Sequence, residues 1–178
     1  MPEYVETSLH VYCSDNKLMK QIQKLVFNKD EHGQLKFTME KLLPINDEFM
    51  TKFGYQELGH HIRKVLWGVK HDGEEIQQKF SKNKFHVEYQ TPWIVNYGWF
   101  QVFCEVVREL YEDLHAHPKP ELIIFFAYGI FGTDYKGFAY YEPPRGKINF
   151  YKEIPEHTRD WLNKYFSKRI IDIYDYLW

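Results

Sequence analysis

The sequence predicts an α+β protein in which helices back one mainly antiparallel β-sheet. A strand, a helix and a second strand follow one another between residues 84 and 128, and the first 44 residues carry a weaker copy of that order. Alternating segments with a two-residue period predict the strands, and segments with helical spacing separate them. Two such split βαβ units are expected to share a single sheet, with both helices on one of its faces.

The N-terminal unit begins with a strand over residues 5–13. Apolar or small side chains at odd positions alternate there with mostly polar ones at even positions, as in a half-buried strand. Ser14 is the expected helix cap, and apolar side chains recur at helical spacing over residues 15–27. A polar turn leads to a second strand, which is predicted to begin at Leu35 and to end near Pro44.

Residues 45–83 have the weakest periodicity in the chain. Asn46 is placed to cap a short helix that Gly54 would end, and apolar side chains from Leu58 onwards indicate a second short helix. A turn-rich passage follows. Residues 74–80 fit a helix and a strand equally well, so the pattern leaves their structure open.

The second unit is the clearer of the two. Residues 85–91 alternate, and Pro92 ends that strand because proline cannot donate to a β-ladder. Apolar side chains at helical spacing predict a long helix over residues 98–115. The continuous apolar run over residues 122–128 fits a central strand, although its length also suits a buried helix.

A hairpin follows the apolar run. Gly129 and Gly132 flank a turn, from which residues 136–141 return as the partner strand. Residues 147–151 are expected to add a short edge strand.

The last segment predicts one long helix. Pro155 suits the first helical turn, and apolar side chains keep a helical period from there to the end. We therefore expect an α+β domain over residues 1–152 and a helical extension over residues 153–178. That helix packs on the domain or forms the contact of a homodimer, and the apolar stripe alone does not choose between the two.

The composition is that of a globular protein, with an unusually high aromatic content. Apolar residues make up 44% and charged residues 27% of the chain, whereas aromatic residues reach 19%. The rings are interpreted first as core material and second as an aromatic recognition face. A formal net charge of −2 provides no global attraction to phosphate backbones, which argues against a nucleic-acid-binding protein.

The sequence also bears on the cellular compartment of the protein. It has no signal-peptide pattern at its N-terminus, and no apolar run approaches the ~20 residues of a membrane span. A cytoplasmic protein without membrane association is therefore expected. Cys13 and Cys104 lie in apolar-patterned segments, so each is expected to be a buried thiol outside any disulfide.

Five short motifs resemble those of a known family. They are Met1-Pro2, Phe37-Thr-Met-Glu-Lys-Leu-Leu-Pro44, Trp67-Gly-Val-Lys70, Thr91-Pro-Trp93 and Lys136-Gly-Phe138. In this order they resemble the YubB-like proteins, small chains often carried by plasmids and prophages and largely uncharacterised. The chain departs from the family pattern at Glu3-Tyr4, Leu66, His71 and Asn96-Tyr97.

This resemblance covers residues 1–142. It implies a ferredoxin-like sandwich and an origin in a mobile element, but it implies no established reaction. A fold of this kind hosts many unrelated functions, so function has to be argued from a site.

An aromatic cluster near turns is the predicted ligand-binding site. Two of its tryptophans lie in turns, where large rings either plug the end of the core or form a concave rim that stacks on a base, sugar or peptide. A lysine and a histidine nearby add polarity. The predicted contacts are Trp67, Lys70, His71, Trp93, Tyr97 and Trp99. We therefore expect a non-enzymatic binding or interaction module without a cofactor.

The sequence carries no specific reaction motif, and we predict no catalytic residue and no metal ligand. Adjacent His60 and His61 point to different sides of a helix or strand, so one ion cannot easily take both. The enzymatic alternative is a hydrolase whose site combines His71, Asp72 and Glu88. A third alternative is a nucleic-acid-binding protein of mobile-element origin.

Overall fold

The computed structural model describes residues 4–44, 74–92, 94–130, 133–143 and 148–151 of the chain. Eight strands and two helices lie within these ranges. The strands are β1 (Tyr4–Cys13), β2 (Phe27–Lys29), β3 (Leu35–Phe37), β4 (Glu74–Phe80), β5 (Lys84–Pro92), β6 (Leu122–Gly129), β7 (Lys136–Tyr141) and β8 (Asn149–Tyr151), and the helices are α1 (Asn16–Val26) and α2 (Tyr97–Glu112). Neither helix is long and apolar enough to cross a membrane.

Six strands form one antiparallel sheet in the order β4-β5-β1-β6-β7-β8. The N-terminal strand β1 is therefore interior, and Leu9 lies opposite Val87 on β5 and Phe126 on β6. The prediction that the two units share one sheet is confirmed for their first strands, β1 and β5, which pair directly. The α+β class, the hairpin of β6 with β7 and the short edge strand β8 are confirmed as well.

The ferredoxin-like sandwich, by contrast, is the wrong description. The described structure is mostly antiparallel sheet with two short helices, and β7 and β8 extend the main sheet beyond β6. The strand predicted from Leu35 ends at Phe37, and it belongs to a separate two-stranded sheet. The helix predicted over residues 153–178 and the short helices predicted after Asn46 lie outside the described residues.

A local hairpin explains why β3 does not join the main sheet. Phe27 leaves α1 in an extended conformation and lies opposite Phe37. The turn between them is closed by Asp30, whose Oδ1 accepts from the backbone N–H of Gln34 at 2.8 Å, and by Gly33 at a positive φ of 77°. The position beside β5 is taken by β4, the segment for which periodicity allowed a helix or a strand.

The first helix begins one residue later than the sequence suggests. Its cap is Asp15, whose Oδ1 accepts a hydrogen bond from the backbone N–H of Leu18 at 2.7 Å. Ser14 instead ties the end of β1 to the residue before β6. Its hydroxyl oxygen accepts from Glu121 N at 2.9 Å, and its own N–H donates to Glu121 O at 2.9 Å.

The end of α2 is capped by a lysine from the following loop. Lys119 Nζ donates to the backbone carbonyls of Tyr111 and Glu112, each at 3.0 Å, and to that of Leu114 at 2.6 Å. The carbonyls of Tyr111 and Glu112, in the last turn of the helix, have no i+4 partner within it and lie at the negative end of the helix dipole. The ammonium group satisfies several of them at once.

The main core lies between the helices and one face of the sheet. Much of the aromatic content is found there. Phe37 stacks on Tyr89 with ring centroids 4.6 Å apart, and Trp99 meets Phe37 edge-on at 5.7 Å. Cys13 and Cys104 are buried free thiols in the same core, as predicted.

The opposite face of the sheet also buries side chains. Every residue of β6 is buried, which confirms the central strand inferred from its continuous apolar run. On this second face Phe125 and Phe138 belong to a smaller apolar cluster. Tyr12, Tyr140 and Tyr151 pack against that cluster.

Candidate functional site

Partly exposed aromatic and apolar side chains collect at one end of the sheet, where β5 and β6 end and β1 and β7 begin. Of the four exposed large hydrophobic residues in the described ranges, three lie at this end: Tyr4, Ile94 and Tyr135. Two half-buried or buried rings, Tyr97 and Tyr128, lie beside them. We call these five residues the aromatic end.

Ring contacts hold part of the aromatic end together. The Tyr97 and Tyr128 rings meet edge-on with centroids 5.3 Å apart, and Tyr128 is 5.9 Å from Tyr135 in a tilted arrangement. Burial raises the pKa of Tyr128, and a polar contact with Tyr97 only partly opposes this effect. The hydroxyl of Tyr128 is therefore neutral at physiological pH, and it adds a hydrogen-bonding group to an otherwise apolar surface.

The connection from β5 to α2 turns Ile94 outward. Thr91 Oγ1 donates to Ile94 O at 2.8 Å, and Ile94 N donates to Pro92 O at 2.9 Å. This tight turn buries Val95 in the core while Ile94 stays 39% exposed. Tyr97, the first residue of α2, follows directly.

A buried polar network lies behind this surface. The Tyr89 hydroxyl is 3.1 Å from Asn96 Oδ1, and Asn96 Nδ2 donates to the sulfur of Met39 at 2.9 Å. Trp99 Nε1 donates to the backbone oxygen of Met39 at 3.1 Å. The network joins β5, the start of α2 and the segment after β3. Its hydrogen bonds therefore hold the start of α2, and with it Tyr97, in position.

The structure separates the two predicted site residues that it describes. Tyr97 is half-buried at the aromatic end, whereas Trp99, two residues further on, is fully buried in the core. The other four predicted contacts lie outside the described residues: Trp67, Lys70, His71 and Trp93. Sequence reasoning missed Tyr128 and Tyr135, because the β6–β7 hairpin brings these two rings together and Tyr128 meets Tyr97 only through the packing of the sheet on α2.

Sequence reasoning also missed a cluster of polar side chains, which lies on the sheet face opposite the helices. Ser8 and His10 from β1 meet His86 and Glu88 from β5 there, and we call these four residues the histidine cluster. Ser8 Oγ is 2.5 Å from His10 Nε2 and 3.4 Å from His86 Nε2. The two imidazole rings stack with centroids 4.1 Å apart and planes 6° from parallel.

Glu88 completes this cluster at its outer side. Its Oε1 is 3.0 Å from His86 Nε2, an ion-pair contact rather than an aligned hydrogen bond. Its other carboxylate oxygen accepts from the side-chain amide of Gln77. Burial raises the pKa of Glu88, but contacts with His86 and Gln77 outweigh this and hold the pKa below its usual value.

The geometry limits the chemistry of the histidine cluster. One nitrogen of His86 faces both Ser8 and Glu88, so the cluster lacks the serine–histidine–acid relay, which runs through two different ring nitrogens. The described ranges contain no group of three or more His, Cys, Asp or Glu side chains able to hold a metal.

Of the hydrolase triplet suggested by the sequence, the structure describes one member. Glu88 is engaged by His86 and Gln77. His71 and Asp72 lie outside the described residues, so that alternative stays a prediction.

Comparison with known proteins assigns no relative to the chain. No family model matches it, and neither a curated protein nor a solved structure matches it. The resemblance to the YubB-like proteins and the mobile-element origin therefore stay predictions, and function has to be argued from the site.

Proposed function

We propose that the chain is a binding module and that the aromatic end contacts a ring or an apolar group of its ligand. The observation that supports this best is the exposure of Ile94 and Tyr135, each 39% exposed, beside the contacting rings of Tyr97 and Tyr128. Exposed apolar side chains are common singly, whereas a group of them at one end of a sheet is a feature of interaction sites.

The physical character of the surface narrows the ligand class. Tyrosine offers a rigid ring with few rotatable bonds, so a contact with it loses little conformational entropy. The neutral hydroxyl of Tyr128 adds one hydrogen-bonding group and no charge. These properties favour an uncharged flat or apolar group, such as an aromatic side chain of a peptide, a sugar or a base.

Apart from the buried Trp99, the contacts predicted from the sequence are kept in this proposal. Trp93 is the chain neighbour of Pro92 and Ile94, in the connection that leads to the aromatic end. We include Trp67, Lys70 and His71 as further ligand contacts on the grounds given by the sequence.

A direct binding screen tests the proposal. Wild-type protein is titrated by isothermal calorimetry and ligand-observed NMR with three probe classes: tyrosine- or tryptophan-containing peptides, oligosaccharides and nucleosides. We expect one class to bind, and we expect Ile94→Ala and Tyr135→Ala each to weaken that binding at least fivefold. Both side chains are well exposed, so neither substitution should unfold the chain.

Phe80→Ala is the matched control. Phe80 is 40% exposed, as exposed as the two test residues, but it lies at the opposite end of the sheet, opposite Phe85. The control variant should bind like the wild type. If no probe class binds, or if the Ile94 and Tyr135 variants bind as tightly as the wild type, the aromatic end is not the binding site.

A further inference from the structure

The histidine cluster is independent of the aromatic end, because it lies on the central part of the other sheet face. His10 is only 3% exposed, and its ring lies between that of His86 and that of Phe125, whose centroid is 5.9 Å away. A stacked imidazole pair in such a position is sensitive to its protonation state. Two cationic rings in parallel contact repel each other, and burial removes most of the water that would screen them.

The two rings have different surroundings. His86 has the Glu88 carboxylate 3.0 Å from its Nε2. His10 is buried against two rings and the Ser8 hydroxyl. Burial and the neighbouring His86 lower the pKa of His10 well below its usual value.

The strand register identifies the other titratable groups on this face. By strand register, β6 contributes only the apolar side chains of Ile123, Phe125 and Ala127. In the described part of the chain, the other titratable or charged groups on the face are Glu6 and Tyr12 of β1, Lys79 of β4, Lys84 of β5, Lys136 and Tyr140 of β7, and Tyr151 of β8. Lys79 lies directly opposite His86. Its positive charge is a further obstacle to placing two protons on the pair.

We propose that the stacked His10–His86 pair is an acid-sensitive contact between β1 and β5. Protonation of His10 beside the stacked His86 ring separates the rings and loosens the pairing of these two strands. Mild acid would then open this face of the sheet while neutral conditions keep it closed.

The test compares the urea midpoint of the full chain at pH 7.5 and at pH 5.0. His10→Phe keeps a stacked ring without a titrating group, so we expect the drop in midpoint between the two pH values to shrink by at least half. Glu88→Gln removes the carboxylate that lies beside the stacked pair and would offset added positive charge there, so we expect that drop to grow. A purely structural effect would shift the midpoint equally at both pH values. His32→Gln, in the exposed turn between β2 and β3, is the control and should leave the drop unchanged.

Amide hydrogen exchange of the wild type provides a readout that does not depend on any variant. After correction for intrinsic rates, we expect acidification from pH 7.5 to pH 5.0 to speed exchange in β1 and β5 at least tenfold more than in β7. NMR of the imidazole carbons should show His10 taking up its proton only below its usual pKa. Uniform acceleration across the sheet, or titration of His10 at its usual pKa, would overturn the proposal even if His10→Phe failed to fold.

Discussion

Gly137 lies directly opposite Tyr128 in the β6–β7 hairpin, and its missing side chain leaves the space that the tyrosine ring occupies. A β-carbon at position 137 would be 2.6 Å from Tyr128 Cζ and 2.8 Å from the backbone oxygen of Tyr151. The glycine of the Lys136-Gly-Phe138 motif therefore sets the position of a ring in the aromatic end.

Gly137→Ala should destabilise the fold. The Tyr128 ring can swing away, but the Tyr151 carbonyl belongs to β8 and can move only with its strand, so we expect a loss of about 1–3 kcal/mol in the free energy of unfolding. Urea denaturation measures this. Gly129→Ala is the control, because a β-carbon there would be 3.6 Å or more from its neighbours. Equal stabilities of the two variants would contradict the steric argument.

The lysine cap of α2 makes a second prediction. Lys119→Met removes the ammonium group that contacts three carbonyl oxygens, and we expect it to lower the free energy of unfolding by about 1–2 kcal/mol. Part of this should be lost in 1 M NaCl, which screens the interaction of the charge with the helix end. Lys20→Met on the exposed side of α1 provides the comparison. A Lys119 variant as stable as the Lys20 variant would show that the cap contributes nothing.

Two substitutions test the hydrogen-bond network next to Tyr97. Tyr89→Phe removes a buried hydroxyl and leaves Asn96 with one partner fewer, so we expect a loss of about 1–2 kcal/mol in thermal or urea unfolding. Trp99→Phe removes a larger side chain and the hydrogen bond to Met39 O, for which we expect about 2–4 kcal/mol. A smaller loss for Trp99→Phe than for Tyr89→Phe would rule out this account of Trp99 as a core residue.

Alkaline pH should weaken the fold through the buried thiols. Burial raises the pKa of Cys13 from 9.0 to about 11, and burial also raises the pKa of Cys104. Above pH 9 the unfolded chain therefore loses thiol protons that the folded chain keeps, and the free energy of unfolding falls as pH rises. We expect the urea midpoint to decrease from pH 9 to pH 11, and to decrease less in Cys13→Ala. A wild-type midpoint that does not change over this range would contradict the assignment of Cys13 as a buried thiol.

Local sequence patterns were sufficient to predict an element where its own side chains determine its structure. The alternation of β1 and β5 and the helical spacing of α2 predicted those elements nearly to their ends, since each repeats its apolar side chains on one face. The type of β4 was undecided because it is an edge strand whose sequence is rich in glutamine and glutamate. The partner of β3 was mispredicted because strand pairing depends on tertiary contacts that periodicity does not contain.

The aromatic end and the histidine cluster differ in the same way, in how far local sequence predicts them. Tyr97 was predicted because a tyrosine just after a Pro-Trp turn is visible in the sequence. The histidine cluster was missed because Ser8 and His86 are 78 positions apart, and only the register of β1 on β5 brings them together. His10 and His86 each look like an ordinary outward polar residue within its own strand.

The interior place of β1 has a consequence for biosynthesis. Val11 pairs with Phe85 on one side and with Ile124 on the other, so both neighbours of this strand are translated long after it. While the ribosome makes the intervening residues, α1 and the β2–β3 hairpin can form locally, but β1 keeps two open edges and an apolar side without its partner strands. Such an unpaired strand attracts other chains. Protection by a chaperone would matter most in the interval before β6 leaves the ribosome.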